Sequence, residues 1–179
     1  MSVNNLKNFW KNGDVFIKAI VALSTAFILL FIFSPIIPLV FNTTKSMPRG
    51  LYYTFDCTPK RGDLIQFRPD ILHWNLALER GYVSSRTQGL LKEVAAISGD
   101  HVCWNDTHIL INGKDVGLVL SEDSEGRPLT HPQGCLTVSS NETLPLATDT
   151  SLSYDGRYFG FIASEMITSC LSPLLTESL

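Results

Sequence analysis

One serine and one lysine of this sequence have the residue types and surroundings of a hydroxyl nucleophile and its base. Ser46 lies in the stretch TTKSMPRGLYYTF, five residues beyond the end of a long apolar run. A serine hydroxyl attacks a carbonyl only when a nearby base accepts its proton. The four histidines show no Ser/His/Asp context and no G-x-S-x-G motif occurs, so a lysine is the favoured base. Lys45, directly beside Ser46, is a weak candidate because adjacent side chains on an extended chain point apart.

Lys92 is the better candidate because it lies in an apolar segment, LLKEVAAI (residues 90–97). Lysine accepts a proton only when it is neutral, and burial lowers its pKa from the ordinary value of about 10.4. If the segment is a strand, Lys92 shares a face with three apolar side chains, those of Leu90, Val94 and Ala96. The opposite orientation, with Lys92 toward solvent, fits the alternation equally well and stays open.

Residues 19–41 carry no charge and predict a membrane anchor. As a helix these 23 residues would measure about 34 Å, and a hydrocarbon core is about 30 Å thick. A cleavable signal peptide has an apolar region of only about 7–15 residues, so an uncleaved anchor is favoured. Lysines at positions 7, 11 and 18 precede the run, and positive flanks stay in the cytoplasm. We therefore predict a cytoplasmic segment at residues 1–18, a transmembrane anchor at residues 19–41 and an outer domain at residues 42–179.

The outer domain is acidic and rich in strand-like segments. It carries a net charge of −5, since residues 1–41 contribute +2 to the total of −3, and this excludes nucleic acid as a partner. Short apolar segments between turn residues predict strands. They are residues 62–67, 90–97, a hairpin at 108–117 with Asn112-Gly113 as its turn, and 158–163. Residues 70–83 have a weaker helical rhythm, so we expect a mainly β fold.

The four cysteines, at positions 57, 103, 135 and 170, all lie in the outer domain. None forms a C-x-x-C pair and the histidines show no metal-ligand spacing, so we expect no metal and no other cofactor. An oxidising compartment favours disulfides, and four cysteines allow three full pairings.

Four segments, in this order along the chain, resemble the sequence boxes of bacterial type I signal peptidases. They are SMPRG around Ser46, KRGDLIQF at residues 60–67, LLKEVAAISGD around Lys92, and SYDGRYFG at residues 153–160. Other segments are closer to the TraF-type conjugative-transfer peptidases, a branch of this serine–lysine family. They are TKSMPRGLY, ERGYV at residues 79–83, and EGRPL at residues 125–129 with the later Gly134-Cys135. The first box is one residue shorter than in ordinary signal peptidases, and the last lacks their Gly-Asp-Asn-Arg start.

The resemblance implies a fold and the groups that react. The fold is a mainly β, signal-peptidase-like catalytic domain behind one N-terminal transmembrane helix. Ser46 and Lys92 would form a serine–lysine dyad. The Thr44 hydroxyl and the backbone N–H of Ser46 would form the oxyanion hole.

The resemblance also implies supporting residues around this dyad. By position, Ser153 would hydrogen-bond near the lysine, and Asp155 with Arg157 would hold the site together. Whether Asp155 is catalytic or structural stays open. Cys103 and Cys135, which flank the hairpin and an acidic loop, are the favoured disulfide pair.

The implied function is that of a membrane-anchored serine endopeptidase in the bacterial inner membrane, with its catalytic domain in the periplasm. Its substrate would be a membrane-held pilin precursor, processed through an acyl-enzyme, and in some relatives the pilin ends are joined into a ring. The lipid bilayer and other proteins of the conjugation apparatus would be its further partners. Two alternatives stay open: a general signal peptidase for secreted preproteins, and a non-catalytic pilus assembly factor.

Overall fold

The structure, a computed structural model, describes residues 15–33 and 38–177. The chain divides into two compact units, the first ending at Pro38 and the second beginning at Leu39. Helix α1 (Val15–Phe33) belongs to the first unit. Among the described residues, no helix is both long and apolar enough to span a bilayer. Residues 34–37 of the predicted anchor lie outside the described part, residues 39–41 belong to a strand, and the anchor stays a prediction.

The second unit is built on an antiparallel sheet of seven strands. In spatial order these are β1 (Leu39–Asn42), β2 (Gly50–Phe55), β11 (Ile167–Thr176), β3 (Leu64–Phe67), β4 (Leu90–Ala96), β9 (Glu142–Leu146) and β10 (Ile162–Ala163). The strands predicted at residues 62–67 and 90–97 are confirmed as β3 and β4. Successive side chains of a strand point to opposite faces of the sheet. In β4, Leu90 and Val94 are buried on one face and Leu91 is buried on the other, so both faces of the sheet are covered.

A second, four-stranded antiparallel sheet stands beside it in the same unit. In spatial order its strands are β7 (Lys114–Leu118), β6 (His108–Ile111), β5 (His101–Trp104) and β8 (Gly134–Thr137). The predicted hairpin is confirmed, because β6 pairs with β7 around Asn112-Gly113. Both turn residues have positive φ, 51° and 81°, the backbone conformation that a tight hairpin turn requires and that Asn-Gly adopts readily.

Two helices interrupt the strands of the second unit. Helix α2 (Ile71–Glu79) begins at Asp70, whose carboxylate accepts hydrogen bonds from the backbone N–H groups of Leu72 and His73. It accounts for the helical rhythm of residues 70–83. Helix α3 (Gly156–Phe159) is a single turn.

The strand predicted at residues 158–163 is wrong in its first half. Tyr158 and Phe159 belong to α3, and only Ile162–Ala163 form a strand. The carboxylate of Asp155 caps the turn by accepting a hydrogen bond from the backbone N–H of Arg157, and Gly160 ends it with a φ of 77°. These two helix caps favour a helical turn, and they outweigh the apolar residues that predicted a strand here.

Three clusters of buried side chains form the core of the second unit. The first lies around Trp104, Ile109 and Leu144 and joins the two sheets. The second surrounds Phe67 and Trp74 and packs α2 onto the large sheet. The third consists of Met47, Tyr52, Leu91 and Leu171, with Val40 and Leu64 packed against it. Met47, the residue after Ser46, belongs to this cluster, so the loop that carries Ser46 packs against it.

Two disulfides close the second unit. Cys103 and Cys135, the pair favoured from the sequence, face each other across β5 and β8. Cys57 and Cys170 form the other, which ties the chain just after β2 to β11. The three residues His101, Cys103 and Cys135 have ligand atoms within 4.8 Å of one another. Because both sulfurs are used in a disulfide, this trio offers no thiolate to a metal.

Candidate active site

Ser46 and Lys92 meet, although 45 residues separate them along the chain. Ser46 lies in the loop between β1 and β2, and Lys92 is the third residue of β4. The Nζ of Lys92 lies 2.9 Å from the Oγ of Ser46 and also donates to the backbone carbonyl of Leu91 at 2.9 Å. A hydroxyl and an amine at this distance can exchange a proton directly.

Lys92 is on the buried face of β4. Its side chain is only 4 % exposed, and Leu90, Val94 and Ala96 on the same face are buried too. Burial is the main reason why the pKa of Lys92 falls to about 8; the Asp155 carboxylate opposes the fall and Arg157 adds to it. A substantial fraction of the amine is therefore neutral near pH 8, and it is then able to accept a proton from Ser46.

Asp155 and Arg157 form a buried ion pair behind the lysine. They are 0 % and 1 % exposed, and Oδ2 of Asp155 lies 3.2 Å from Nη1 of Arg157. Asp155 also accepts the backbone N–H groups of Ala147 and Arg157, at 2.9 Å and 3.1 Å. Burial raises the pKa of Asp155, while Arg157 and Lys92 oppose that rise.

These contacts give Asp155 a supporting position. Its carboxylate accepts hydrogen bonds from the backbone N–H of Ala147 and from the guanidinium of Arg157. Arg157 donates in turn to the carbonyl of Ala147 at 2.6 Å. The backbone carbonyl of Arg157 accepts from the indole of Trp104 at 3.1 Å, which ties the pair to the small sheet. Asp155 acts on Lys92 through its charge, since no hydrogen bond joins the two side chains in the described part of the chain.

Ser153 lies at the cleft beside this pair, but the structure does not join it to the lysine. It is 8 % exposed, and within the described residues its Oγ has no hydrogen-bond partner. The sequence predicted a hydrogen bond near Lys92 for this side chain. Ser153 is therefore a buried hydroxyl without a hydrogen-bond partner among the described residues, at a position that borders the cleft.

Thr44 lies next to the nucleophile. Its Oγ1 is 3.3 Å from the Oγ of Ser46 and donates to the Oδ1 of Asn42 at 2.8 Å. A hydroxyl here is within reach of a carbonyl that Ser46 attacks. It would have to turn away from Asn42 in order to donate to the oxygen of that carbonyl, because a hydroxyl has one proton to donate.

Asn42 organises the loop that carries Ser46, and the sequence analysis gave it no role. It is 4 % exposed, and its Nδ2 lies 3.0–3.1 Å from the backbone carbonyls of Thr44, Met47 and Pro48. Its Oδ1 accepts the N–H of Thr44 at 3.0 Å as well as the Thr44 hydroxyl. An Asn side chain commonly accepts from the backbone N–H two residues later in such a local turn, and here this turn fixes the loop that carries Ser46.

A cleft of about 1020 Å³ opens onto Ser46 and Lys92. Residues 40–42 of β1 line one part of it, and residues 89–92 at the start of β4 line another. β1 is the edge strand of the large sheet, and β4 pairs with β9 only from Glu93 onward. Both lining segments thus present strand edges without a paired strand in the described part of the chain, and such edges bind extended peptides.

The two loops quoted for the TraF-type resemblance meet in another part of this cleft. Tyr82 donates to Asp123 at 2.5 Å, and the Nε of Arg127 donates to the same carboxylate at 2.7 Å. The guanidinium of Arg127 also donates to the carbonyl of Arg80 at 3.1 Å. Tyr82 and Asp123 both line the cleft, so these hydrogen bonds fix the positions of two side chains in its wall.

Comparisons with known proteins agree with the sequence boxes. The family described as Signal peptidase, peptidase S26 matches residues 11–172. Two plasmid transfer proteins TraF of Escherichia coli are 35 % and 33 % identical over 144 residues, which is 75 % of this chain and 81 % of each relative. The resemblance drawn from the sequence is thereby confirmed.

Two more distant likenesses complete the comparison. A probable signal peptidase I-2 of Synechocystis sp. is 26 % identical over 61 % of this chain and 44 % of its own length. The crystal structure of a signal peptidase I from Enterococcus faecalis V583 aligns with 66 % of this chain and 100 % of that chain, at 24 % identity and a TM-score of 0.38.

Proposed function

The chain belongs to the signal peptidase family, peptidase S26, and from this premise we propose that it is a serine endopeptidase in which Ser46 is the nucleophile and Lys92 the general base. The observation that carries the proposal is the 2.9 Å contact between the Oγ of Ser46 and the Nζ of Lys92. Its chemical reason is the burial of Lys92, which lowers the pKa of the amine toward the pH at which a base is effective.

The proposed reaction begins with neutral Lys92. The amine accepts the Ser46 proton as Oγ attacks a substrate carbonyl, and a tetrahedral intermediate forms. The backbone N–H of Ser46 and the rotated Thr44 hydroxyl stabilise its oxyanion, and each such donor is worth about 2.7–4 kcal/mol. Lys92 then gives the proton to the leaving amine, which leaves an acyl-enzyme on Ser46.

An extended peptide is the substrate that the cleft favours. Its backbone can pair with the free edge of β1 or with residues 90–92 of β4, and both segments lead to the reacting pair. Pairing of this kind binds the peptide through its main chain and leaves alternate side chains to enter pockets. Specificity for a given precursor then depends on those pockets.

Pilin maturation in conjugation is the role we propose for this chemistry. Its support is the similarity to the TraF plasmid transfer proteins, together with the two loops of that branch that meet at the cleft wall. Water as the second nucleophile releases a linear chain. An amine held next to the acyl group instead forms a new peptide bond, since a well-oriented neighbour has an effective molarity far above that of a free one.

We further propose that the uncharged run before β1, residues 19–38 of the predicted anchor, holds the protein in the bacterial inner membrane with the catalytic unit in the periplasm. The support is the uncharged run and its lysine-rich amino-terminal flank. A membrane-held pilin precursor would share the bilayer with the enzyme, which raises the effective concentration of one for the other. Other proteins of the conjugation apparatus would be further partners.

Two substitutions test the dyad in donor cells. Ser46→Ala and Lys92→Met each remove one reacting group, so we expect pilin processing to fall at least about 10³-fold and conjugation to stop. Thr43→Ala and Lys45→Met are matched controls on exposed neighbours and keep activity within about twofold. Full conjugation by both dyad variants, with the protein present and folded, would support the non-catalytic assembly factor instead.

The mass of the product separates the remaining alternatives. A mature pilin lighter by one water than the linear chain indicates ring closure, and a linear mass indicates hydrolysis. Cleavage of many unrelated secreted precursors by the purified protein would favour the general signal peptidase.

A further inference from the structure

Gln66 places a carboxamide beside the apolar side chains of the third core cluster. In β3, Ile65 and Phe67 point into the core around Trp74, so Leu64 and Gln66 point to the opposite face. Across the strands, Gln66 is paired with Leu91 of β4 and Ser169 of β11. This is the face of the buried cluster that supports the Ser46 loop.

The hydrogen-bonding capacity of the Gln66 carboxamide is only partly used there. Gln66 is 8 % exposed, and its Oε1 meets the hydroxyl of Ser169 at 3.5 Å, the long limit for a hydrogen bond. Its Nε2 has no hydrogen-bond partner within the part of the chain that the structure describes. Nε2 is not one of the fully buried unpaired atoms, and Gln66 lines the cleft, so this amide donor is accessible to a ligand that accepts from it.

Gln66 also borders the cleft. It lines the cavity with Val40, Gly89 and Leu91. A Cβ at Gly89 would lie 3.1 Å from the Cγ of Gln66 and 2.8 Å from the carbonyl oxygen of Phe67, so a side chain at this position would crowd Gln66. Gly89 lies two residues before Leu91, the partner of Gln66 in β4, and the absence of a side chain there leaves the carboxamide uncovered.

We propose that Gln66 is the polar floor of a pocket that selects one side chain of the substrate, a hydroxyl or carboxamide rather than an aliphatic group. The inference rests on the proposed peptidase function. The strand edges bind the peptide backbone, so the group that reaches the sheet face is a side chain. Leu91, which is paired with Gln66 across the strands, gives this pocket an apolar wall, which disfavours a carboxylate because a charge would lose its hydration.

A peptide library tests this pocket with the full-length protein in detergent micelles. The probe is a set of extended peptides that differ at one position at a time as Thr against Val, and as Asn against Leu. We expect the wild-type protein to prefer the polar member at one position by about tenfold in kcat/KM. Gln66→Met keeps the side-chain length and removes the donor, so the ratio falls to within about twofold, while Gln133→Met, on an exposed residue, retains it.

Three results would overturn the inference. The first is that the wild-type protein shows no preference for the polar member, or prefers the aliphatic one, at every position. The second is that Gln66→Met leaves the wild-type ratio unchanged. The third is that Gln66→Met lowers the rate equally on all peptides. Dissociation constants of the same pairs for the Ser46→Ala variant decide the matter without turnover. A wild-type protein that cleaves nothing would contradict the proposed function, whereas the ratio of dissociation constants would still report on the pocket.

Discussion

At the scale of single residues, the site depends on one amine that the fold keeps from water. Lys92 is 4 % exposed, and its pKa of about 8 is the consequence of burial. The nearby Asp155 carries the opposite charge and limits the fall, and Arg157 carries the same charge and adds to it. An ordinary lysine, with a pKa of about 10.4, would be almost fully protonated near pH 8 and could not accept a proton from Ser46 there.

The activity should therefore follow the titration of Lys92. We expect kcat/KM to rise with pH through about 8 as the ammonium loses its proton, and to level off above that value. The measurement is peptide cleavage by purified protein from pH 6 to pH 10. A rise centred near the ordinary lysine value would show that the amine is hydrated and is not the base we propose.

The same pKa shift predicts that the buried amine of Lys92 destabilises the fold. Since the pKa of Lys92 is about 8 in the folded protein and 10.5 when unperturbed, its burial opposes folding fully below pH 8 and not at all above 10.5. Lys92→Met removes this effect. We expect the variant to gain roughly 3 kcal/mol of unfolding free energy over the wild type at pH 7, and the gain to shrink by that amount toward pH 10.5.

Urea unfolding at several pH values measures this difference. Lys45→Met is the control, because it removes an exposed lysine from the same region. A gap between Lys92→Met and wild type that does not vary with pH would contradict the predicted sign.

At the scale of elements, Asn42 holds the loop between β1 and β2 that carries Ser46, the proposed nucleophile. The side chain binds three carbonyls of the loop and both polar groups of Thr44. β1 supplies Asn42 itself, β2 begins after the loop, and Met47 packs below it. The Oγ of Ser46 is thus positioned by an amide whose hydrogen bonds all go to the loop itself, which makes Asn42 a positioning residue.

Substitution of Asn42 should affect the rate more than substrate binding. Asn42→Asp keeps the acceptor for Thr44 and removes the donors to the three carbonyls, so we expect kcat to fall by at least about tenfold with little change in KM. Steady-state kinetics on one peptide separates the two constants. Asn105 caps a similar turn by accepting from the backbone N–H groups of Thr107 and His108, outside the cleft, and Asn105→Asp is the matched control.

An equal fall in kcat for both Asn variants would mean that a general loss of stability, rather than the position of Ser46, explains the effect. A rise in KM alone for Asn42→Asp would place the side chain in substrate binding.

At the scale of the whole molecule, two disulfides limit how far the second unit can open. Cys57–Cys170 joins residues 113 positions apart, and Cys103–Cys135 joins residues 32 apart. A longer closed loop loses more entropy in the unfolded chain. We expect removal of Cys57 and Cys170 to lower the free energy of unfolding by about 1 kcal/mol more than removal of Cys103 and Cys135.

Paired Cys→Ala substitutions and urea unfolding check this order. The first pair ties β2 to β11 within the large sheet, and the second stays within the small sheet. The activity of both variants should persist at low temperature, because neither pair touches Ser46. A larger loss for the pair in the small sheet would overturn the prediction.

The sequence alone was sufficient for the features that depend on local order. It predicted β3 and β4, the hairpin at Asn112-Gly113, the candidate residues Ser46 and Lys92, and the family. These follow from apolar alternation, from turn residues with positive φ and from boxes that are contiguous in the chain. Such signals act over a few residues, so they are visible before any folding is considered.

Only the tertiary structure decided on which face of β4 the lysine lies. A period of two places Lys92 either inside or outside, and the choice depends on what covers each face of the sheet. Two further features set the surroundings of Lys92. Asp155 and Arg157, more than 60 residues later in the chain, lie close enough to affect its pKa. The pairing of β4 with β9 begins only at Glu93, which leaves the strand edge at Lys92 open among the described residues. The hydrogen bonds of Asn42, the open carboxamide of Gln66 and the pairing of Cys57 with Cys170 likewise depend on groups brought together by folding, because desolvation and hydrogen bonding are properties of neighbours in space.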